Sequence, residues 1–357
     1  MLLGGAVEAV ALVSLLVPLR RRLLGHSAPR VEGPFARHPV VGLIEPLATS
    51  LDRLIVVGEG TRLQRAGRFA AAFAVFVAPL LALSLVPLGV HYQFPQSEFA
   101  LVAVRLDGGL AWLVVSMLVG LYGATTLLPD PALRVRFGVM TASFSAAAGF
   151  SVAALAIVFG DIDPLAIALA QDSSLHIGHF FGPALPALQR LELPAWGVFL
   201  QPVSFVVFVI CALAIPRPGN ELVPDNSDEA SSPPRDGVEA FLVDCGRDAT
   251  ALVVAAWFVA LFLGGGAIPF APADTIIGFI SPYFGVGLAT ILCMGIHIAV
   301  FVTKLMLVTL ALDPLQRRLD ALTFERALGL CWRYAIPLAL LNVFVTAQWF
   351  GGALVLR

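Results

Sequence analysis

Few side chains in this sequence can do chemistry, and most of those that can lie inside apolar runs. Glu8 sits in the first such run. His297 and Lys304 sit together in a late one. Seven residues apart on a helix, they share one face. An ionisable group inside a membrane span is costly and is a functional candidate by default. Histidine titrates near neutral pH and suits proton shuttling. The cluster Asp244, Arg247 and Asp248 has i,i+3 and i,i+4 spacing, so its members are neighbours on a helix. A proton relay can be drawn through His297, Lys304 and this cluster. The plainer alternative has Lys304 snorkelling to the inner interface and His297 bonding a backbone carbonyl. The cluster then reads as an acidic first turn favoured by the helix dipole.

Other chemistries find no support. His176 and His179 form an H-x-x-H with no third ligand suitably spaced, so no metal site is assigned. The four cysteines, Cys211, Cys245, Cys293 and Cys331, are scattered singly with no C-x-x-C. P-loop, Rossmann, nucleophile-elbow and zincin motifs are absent. The chain shows no redox or hydrolytic active site of its own, and no basic patch with interleaved aromatics for nucleic acid.

The elements that would position these residues follow from composition. The chain has 357 residues, 59% hydrophobic and 13% charged, against about 25% charged in ordinary soluble domains. This predicts an all-α membrane protein in a single integral domain covering 1–357. A spanning helix takes about 20 apolar residues. Spans are expected near 2–19, 69–90, 108–128, 138–160, 196–215, 249–268, 284–312 and 333–355, about eight in all. No basic n-region precedes Arg20, so the first run reads as a retained span.

With both termini outside, the inside loops are 20–68, 129–137, 216–248 and 313–332. Counting edge residues, they hold 18 of the 22 Lys and Arg, a positive-inside pattern. Within the first loop, residues 40–57 (VVGLIEPLATSLDRLIVV) suit an amphipathic helix lying at the interface. The 216–248 loop carries eight acids and three arginines and contains the turn-rich DNSDEASSPPRD. Residues 161–195 form a long outside loop with turns near Pro183 and Pro186 and a short helix at most.

Several segments resemble one family. GDIDPLAIALAQ (160–171), VVFVICALAIPRPGNEL (206–222), FLGG (262–265), Lys304 and TFERALGLCWRYAIPLALLNVFVTA (323–347) are similar to stretches of the family of the complex I H subunit, a component of bacterial NADH–quinone oxidoreductase. That family includes the related membrane subunits of formate hydrogenlyase and energy-converting hydrogenases. In the first loop, RVEGP (30–34) and IEPLATSLDRL (44–54) resemble its Arg-x-Gly-Pro and Gln-Pro stretches.

The resemblance implies an anchoring subunit in a bacterial inner membrane. It would dock a peripheral electron-transfer arm and help form a quinone chamber. Glu45, Pro46, Asp52, Arg53, Arg217 and Glu221 are the docking or chamber candidates; Asp244, Arg247, Asp248, His297 and Lys304 are the ion-coupling candidates. No cofactor is expected on this chain alone, apart from a quinone that the chamber can take. Iron–sulfur clusters belong to partners. Those partners are peripheral iron–sulfur and dehydrogenase- or hydrogenase-like subunits, antiporter-like membrane subunits and the lipid bilayer.

The chain also departs from the family. Where its fourth span carries an Arg-Ala…Ser-Tyr-Glu stretch, TASFSAAAGFSV (141–152) has Thr141 and Phe150 and no acid; Ile215 stands where the fifth span ends in one. A diverged member that keeps the scaffold and has changed its proton handling fits this pattern. A stand-alone transporter predicts paired internal repeats and broken helices, and no convincing repeat is found.

Overall fold

The computed structural model describes residues 62–94, 97–102, 109–128, 131–176, 192–215, 237–320 and 322–354. The first predicted span, the 40–57 helix, and the candidates Glu8, Glu45, Pro46, Asp52, Arg53, His179, Pro183, Pro186, Arg217 and Glu221 lie outside the described residues.

The chain is an all-α membrane protein. Its long apolar helices are α1 (Arg62–Ser84), α2 (Gly109–Leu127) and α3 (Pro131–Phe159). After the short α4 (Pro164–Ala170) and α5 (Gly197–Leu200) come α6 (Pro202–Ala214) and α7 (Gly237–Phe262). The last are α8 (Ala273–Phe284), α9 (Val286–Asp320), α10 (Phe324–Leu330) and α11 (Ile336–Leu354), with one π turn at Cys331–Ala335 joining α10 to α11. Five of the described helices are long and apolar enough to cross a membrane, and α2 and α6 are shorter apolar helices. Two short antiparallel pairings lie between helices: β1 (Pro87–Phe94) with β2 (Ser97–Val102), and β3 (Ser174–His176) with β4 (Glu192–Pro194).

Helix edges differ from the predicted spans for local reasons. α1 stops at Ser84, whose hydroxyl bonds back to Leu81 O at 2.7 Å, and 87–90 join the β1 strand rather than the predicted 69–90 span. α7 begins at Gly237, twelve residues before the predicted 249. Its polar first turns turn acids inward, which a hydropathy window scores as loop.

α7 is the axis of the bundle. Its apolar window is 83% buried, against 17% for the window spanning α10 and α11. α1 runs parallel to it and touches it at three levels. Arg68 pairs with Glu239; a Cβ on Gly246 would come within 2.7 Å of Val75 O; Trp257 Nε1 donates to Ala82 O at 3.3 Å. On another side Phe258 and Phe262 pack against Phe205 of α6 at 5.0 and 5.9 Å, and Phe262 meets Phe208 at 5.3 Å. The outer faces of α2 and α11 expose Val114, Leu118, Leu341 and Phe344. Such faces would be a liability in water and are the expected surface against lipid.

Between α6 and α11 runs a polar seam. Gln201 Nε2 donates to Thr346 Oγ1 at 3.0 Å, and Asn342 Nδ2 donates to Gln201 Oε1 at 2.9 Å and Ser204 Oγ at 2.7 Å. Interhelical hydrogen bonds of this kind hold helices together where burial offers no driving force.

Candidate functional site

The chemistry-bearing residues gather at the two ends of α7. The C-terminal end begins with a chain reversal that only glycine makes cheaply. Gly264 and Gly265 adopt φ of +69° and +55°, and Gly265 N–H reaches back to Val259 O at 3.0 Å. This bond, to a carbonyl six residues back, closes the helix through a left-handed C-terminal turn. The last turn of a helix still leaves carbonyls without partners.

Two side chains from distant segments satisfy that end. Gln171, directly after α4, is 1% exposed. Its Nε2 donates to Ala260 O and Leu261 O at 3.1 and 3.0 Å. Its Oε1 accepts from Gly197 N–H and Gly264 N–H at 3.1 and 3.0 Å. An amide has two donors and two lone pairs, and all are used. α4 holds it in place, begun by Asp163, which caps Leu165 N–H at 3.1 Å with Pro164 in the first helical position.

Lys304 comes from α9. Its Nζ donates to Leu263 O, Gly265 O and Ala267 O at 2.8, 3.0 and 2.7 Å and lies 4.3 Å from the Trp196 ring centroid. The expectation that Lys304 snorkels to the inner interface is therefore corrected, because three converging carbonyls at a helix C-terminus hold the ammonium inside the bundle. Its three N–H donors are all spent.

His297, on the same face of α9, is fully buried. Cys293 Sγ lies 3.6 Å from its Nδ1.

The N-terminal end of α7 carries Glu239, Asp244, Arg247 and Asp248. Glu239 and Asp248 are 3% and 5% exposed. Arg68 Nε stands 3.4 Å from Glu239 Oε1, an ion pair looser than an aligned hydrogen bond. The sequence offers Glu239 only as one of the loop acids, since its helix and its partner on α1 are invisible locally.

The structure does not bring the proposed relay together. From Asp248 to Leu263 is fifteen residues of helix, roughly 22 Å at 1.5 Å per residue. Between them α7 presents Leu252, Ala256, Val259 and Ala260, all buried and apolar. His297 and Lys304 belong to one end, and Asp244, Arg247 and Asp248 to the other. Of the positions that depart from the family, Thr141 and Ile215 line a cavity between α2 and α3, while Phe150 packs on the core.

One titratable group stands beside the C-terminal end, outside the spans. Burial lifts the Asp172 carboxyl from its ordinary 3.8 to about 6, and the nearby Asp274 carboxylate adds to the lift. The native state therefore holds a proton that the unfolded chain has lost between about pH 4 and 6. Stability from this group is present at low pH and falls as pH rises through that window. Asp172→Asn is expected to flatten the decline in apparent unfolding temperature between pH 4.5 and 7 in detergent. An unchanged slope would remove Asp172 as its source.

Among the described residues, no group of three or more His, Cys, Asp or Glu side chains is arranged to hold a metal. His176 lies in β3. The arrangement does three things: it clamps one end of the central helix, buries acids at the other, and separates them by an apolar shaft.

Comparison with known proteins agrees with the resemblance seen in the sequence. The family model described as NADH dehydrogenase matches residues 2–347. The chain is 25% identical to the NADH-quinone oxidoreductase H subunit of Thermomicrobium roseum, over 97% of this chain and 94% of that one. It is 23% identical to the protein of the same name from Syntrophotalea carbinolica, over 95% and 92%. With the match running through nearly every element described above, the chain belongs to the NADH dehydrogenase family, that of the complex I H subunit.

Proposed function

We propose that this chain is the membrane anchoring subunit of a complex I-like, redox-driven assembly in a bacterial inner membrane, with both termini outside. The observation that carries the reading is the end-to-end correspondence with relatives named as the H subunit of NADH-quinone oxidoreductase, at 97% of this chain and 94% of the relative's length. The inside loops would form the docking face for a peripheral electron-transfer arm. Glu45, Pro46, Asp52 and Arg53 belong to one of them, and Arg217 and Glu221 to another. A quinone chamber needs an apolar groove with few polar groups, and the first span, the 40–57 segment and α7 are the elements proposed for it. Iron–sulfur clusters would sit in partner subunits, of dehydrogenase or hydrogenase type, with antiporter-like subunits alongside in the membrane.

A second reading, an assembly scaffold that has lost proton coupling, is favoured by one specific observation. Lys304 spends all its donors on carbonyls, and the shaft of α7 between the two charged ends is apolar.

A pull-down of the tagged chain in gentle detergent, with mass spectrometry and metal analysis, tests the assembly. Iron–sulfur, dehydrogenase- or hydrogenase-like and antiporter-like subunits are expected to come with it. A protein that purifies intact and alone would overturn the proposal in favour of a stand-alone transporter.

A further inference from the structure

The helices α2 and α3 follow one another directly yet part company. α2 is drawn toward α1, where a Cβ on Gly123 would lie 2.6 Å from Ala71 O and one on Gly120 would lie 3.1 Å from Ala78 Cβ. α3 instead packs on α6 and α11. The two helices touch little and leave a cleft between them. The cleft has a volume of about 900 Å³, at the upper end of the range for small-molecule sites.

Its walls include Leu113 and Leu121 of α2 and Gly149 and Val152 of α3, with Phe208 and Trp257 behind them. Water gains nothing in a pocket of this kind, since it needs several polar partners. An empty space of this size would forfeit the contacts of every atom lining it. Hydrocarbon is the medium that fits, and it is the solvent on the exposed side of both helices.

Charge gives the cleft a direction. About two helical turns beyond the Thr141 end of the cleft, Arg134 of α3 donates its Nε–H to Leu128 O at 2.7 Å, pinning the end of α2. Arg134 is exposed, and a guanidinium has more donors than that bond uses. It suits a phosphate, which takes two parallel N–H bonds from such a fork. At the opposite end of the cleft stands Asp161, an acid. An anionic headgroup therefore belongs at Arg134.

We propose that the α2–α3 cleft is a phospholipid site, with an acyl chain along the groove and the lipid phosphate on Arg134. The inference rests on the membrane reading of the chain and not on which assembly it joins.

Phosphatidylglycerol is the probe. The full chain would be purified in mild detergent, incubated with that lipid and measured by native mass spectrometry, with size-exclusion chromatography to check folding. A Cβ on Gly149 meets nothing within 4 Å, so Gly149→Phe starts its side chain in open space and puts a ring into the cleft. It is expected to lower retained lipid about tenfold. Arg134→Gln, an exposed change, is expected to lower it about fivefold and to erase the preference over phosphatidylcholine. Wild-type retention in both variants would overturn the site, leaving only lipids that coat the outside. Retention of a quinone in place of phospholipid would also overturn it. Partner-free purification in the pull-down would leave these outcomes untouched, so the two proposals fail separately.

Discussion

Gly264→Ala is expected to destabilise the folded chain by about 4 kcal/mol, and Gly265→Ala by only about 1–2 kcal/mol. Both residues have positive φ, so both substitutions force an L side chain into a left-handed backbone. They differ in what the new methyl meets. At Gly265 the nearest atom is Pro87 O at 3.6 Å, an ordinary contact. At Gly264 the methyl runs into the Trp196 indole, at Nε1 and Cδ1. That indole cannot simply swing aside. Its ring lies under the Lys304 ammonium, stacks with Phe199, and begins α5 at Gly197. Gly197 is itself pressed against the end of α7, where a Cβ would meet Leu261 O at 2.5 Å. Moving Trp196 thus disturbs the amide that Gln171 accepts from. A loss of about 4 kcal/mol is a large part of a typical margin of 5–15 kcal/mol, so little monodisperse Gly264→Ala protein should survive mild heating in detergent. The readout is the folded fraction by fluorescence-detected size exclusion, or the midpoint of an SDS titration. Equal losses for the two variants would show that backbone conformation alone matters and that the indole packing does not.

How much of this was legible in the sequence depends on the distance over which each feature is decided. The helices were visible because apolar runs and flanking arginines are local. α2 and α6 lie close to the predicted 108–128 and 196–215 for that reason. The start of α7 was not visible, because Glu239 and Asp248 look like loop residues until α1 supplies Arg68 and a buried surface. The clamp was half legible. FLGG and the Ala-Gln at 170–171 resemble family stretches, and Lys304 is an anomaly in an apolar run. Nothing local says that they meet, since Gln171 reaches residues 89 and 90 positions away. The spacing of His297 and Lys304 places both on one face of α9. The same spacing says nothing of whether this face reaches Asp248, because periodicity gives a direction around a helix and no information on height along its neighbour.

Lys304→Met is expected to reduce the amount of folded, assembled protein rather than the proton yield of whatever assembles. The ammonium is a fastener. It gives three charge-assisted hydrogen bonds to Leu263, Gly265 and Ala267 and places a positive charge at the C-terminal end of α7. Methionine keeps the length of the side chain and removes every donor, leaving three inward-facing carbonyls without that partner. Bonds to charged groups contribute about 1.5–3 kcal/mol each in water-soluble proteins, but polar contacts within membranes average nearer 0.6 kcal/mol. A total of about 3 kcal/mol lies between the two for this set, with the Trp196 contact included. Lys304→Arg should fall between wild type and methionine. It retains the charge, but a planar fork cannot aim three donors at converging oxygens as an ammonium can. A proton carrier behaves differently. To pass a proton, Lys304 would have to release one of its three hydrogen bonds and strand a buried carbonyl at each turnover, with an apolar shaft between it and the acids near Asp248. The decisive comparison is assembled complex per cell against proton translocation per assembled complex, measured in vesicles for both variants. Loss of the first with the second intact is the outcome for a fastener; normal assembly with translocation abolished would return Lys304 to the ion path and sink the scaffold reading with it.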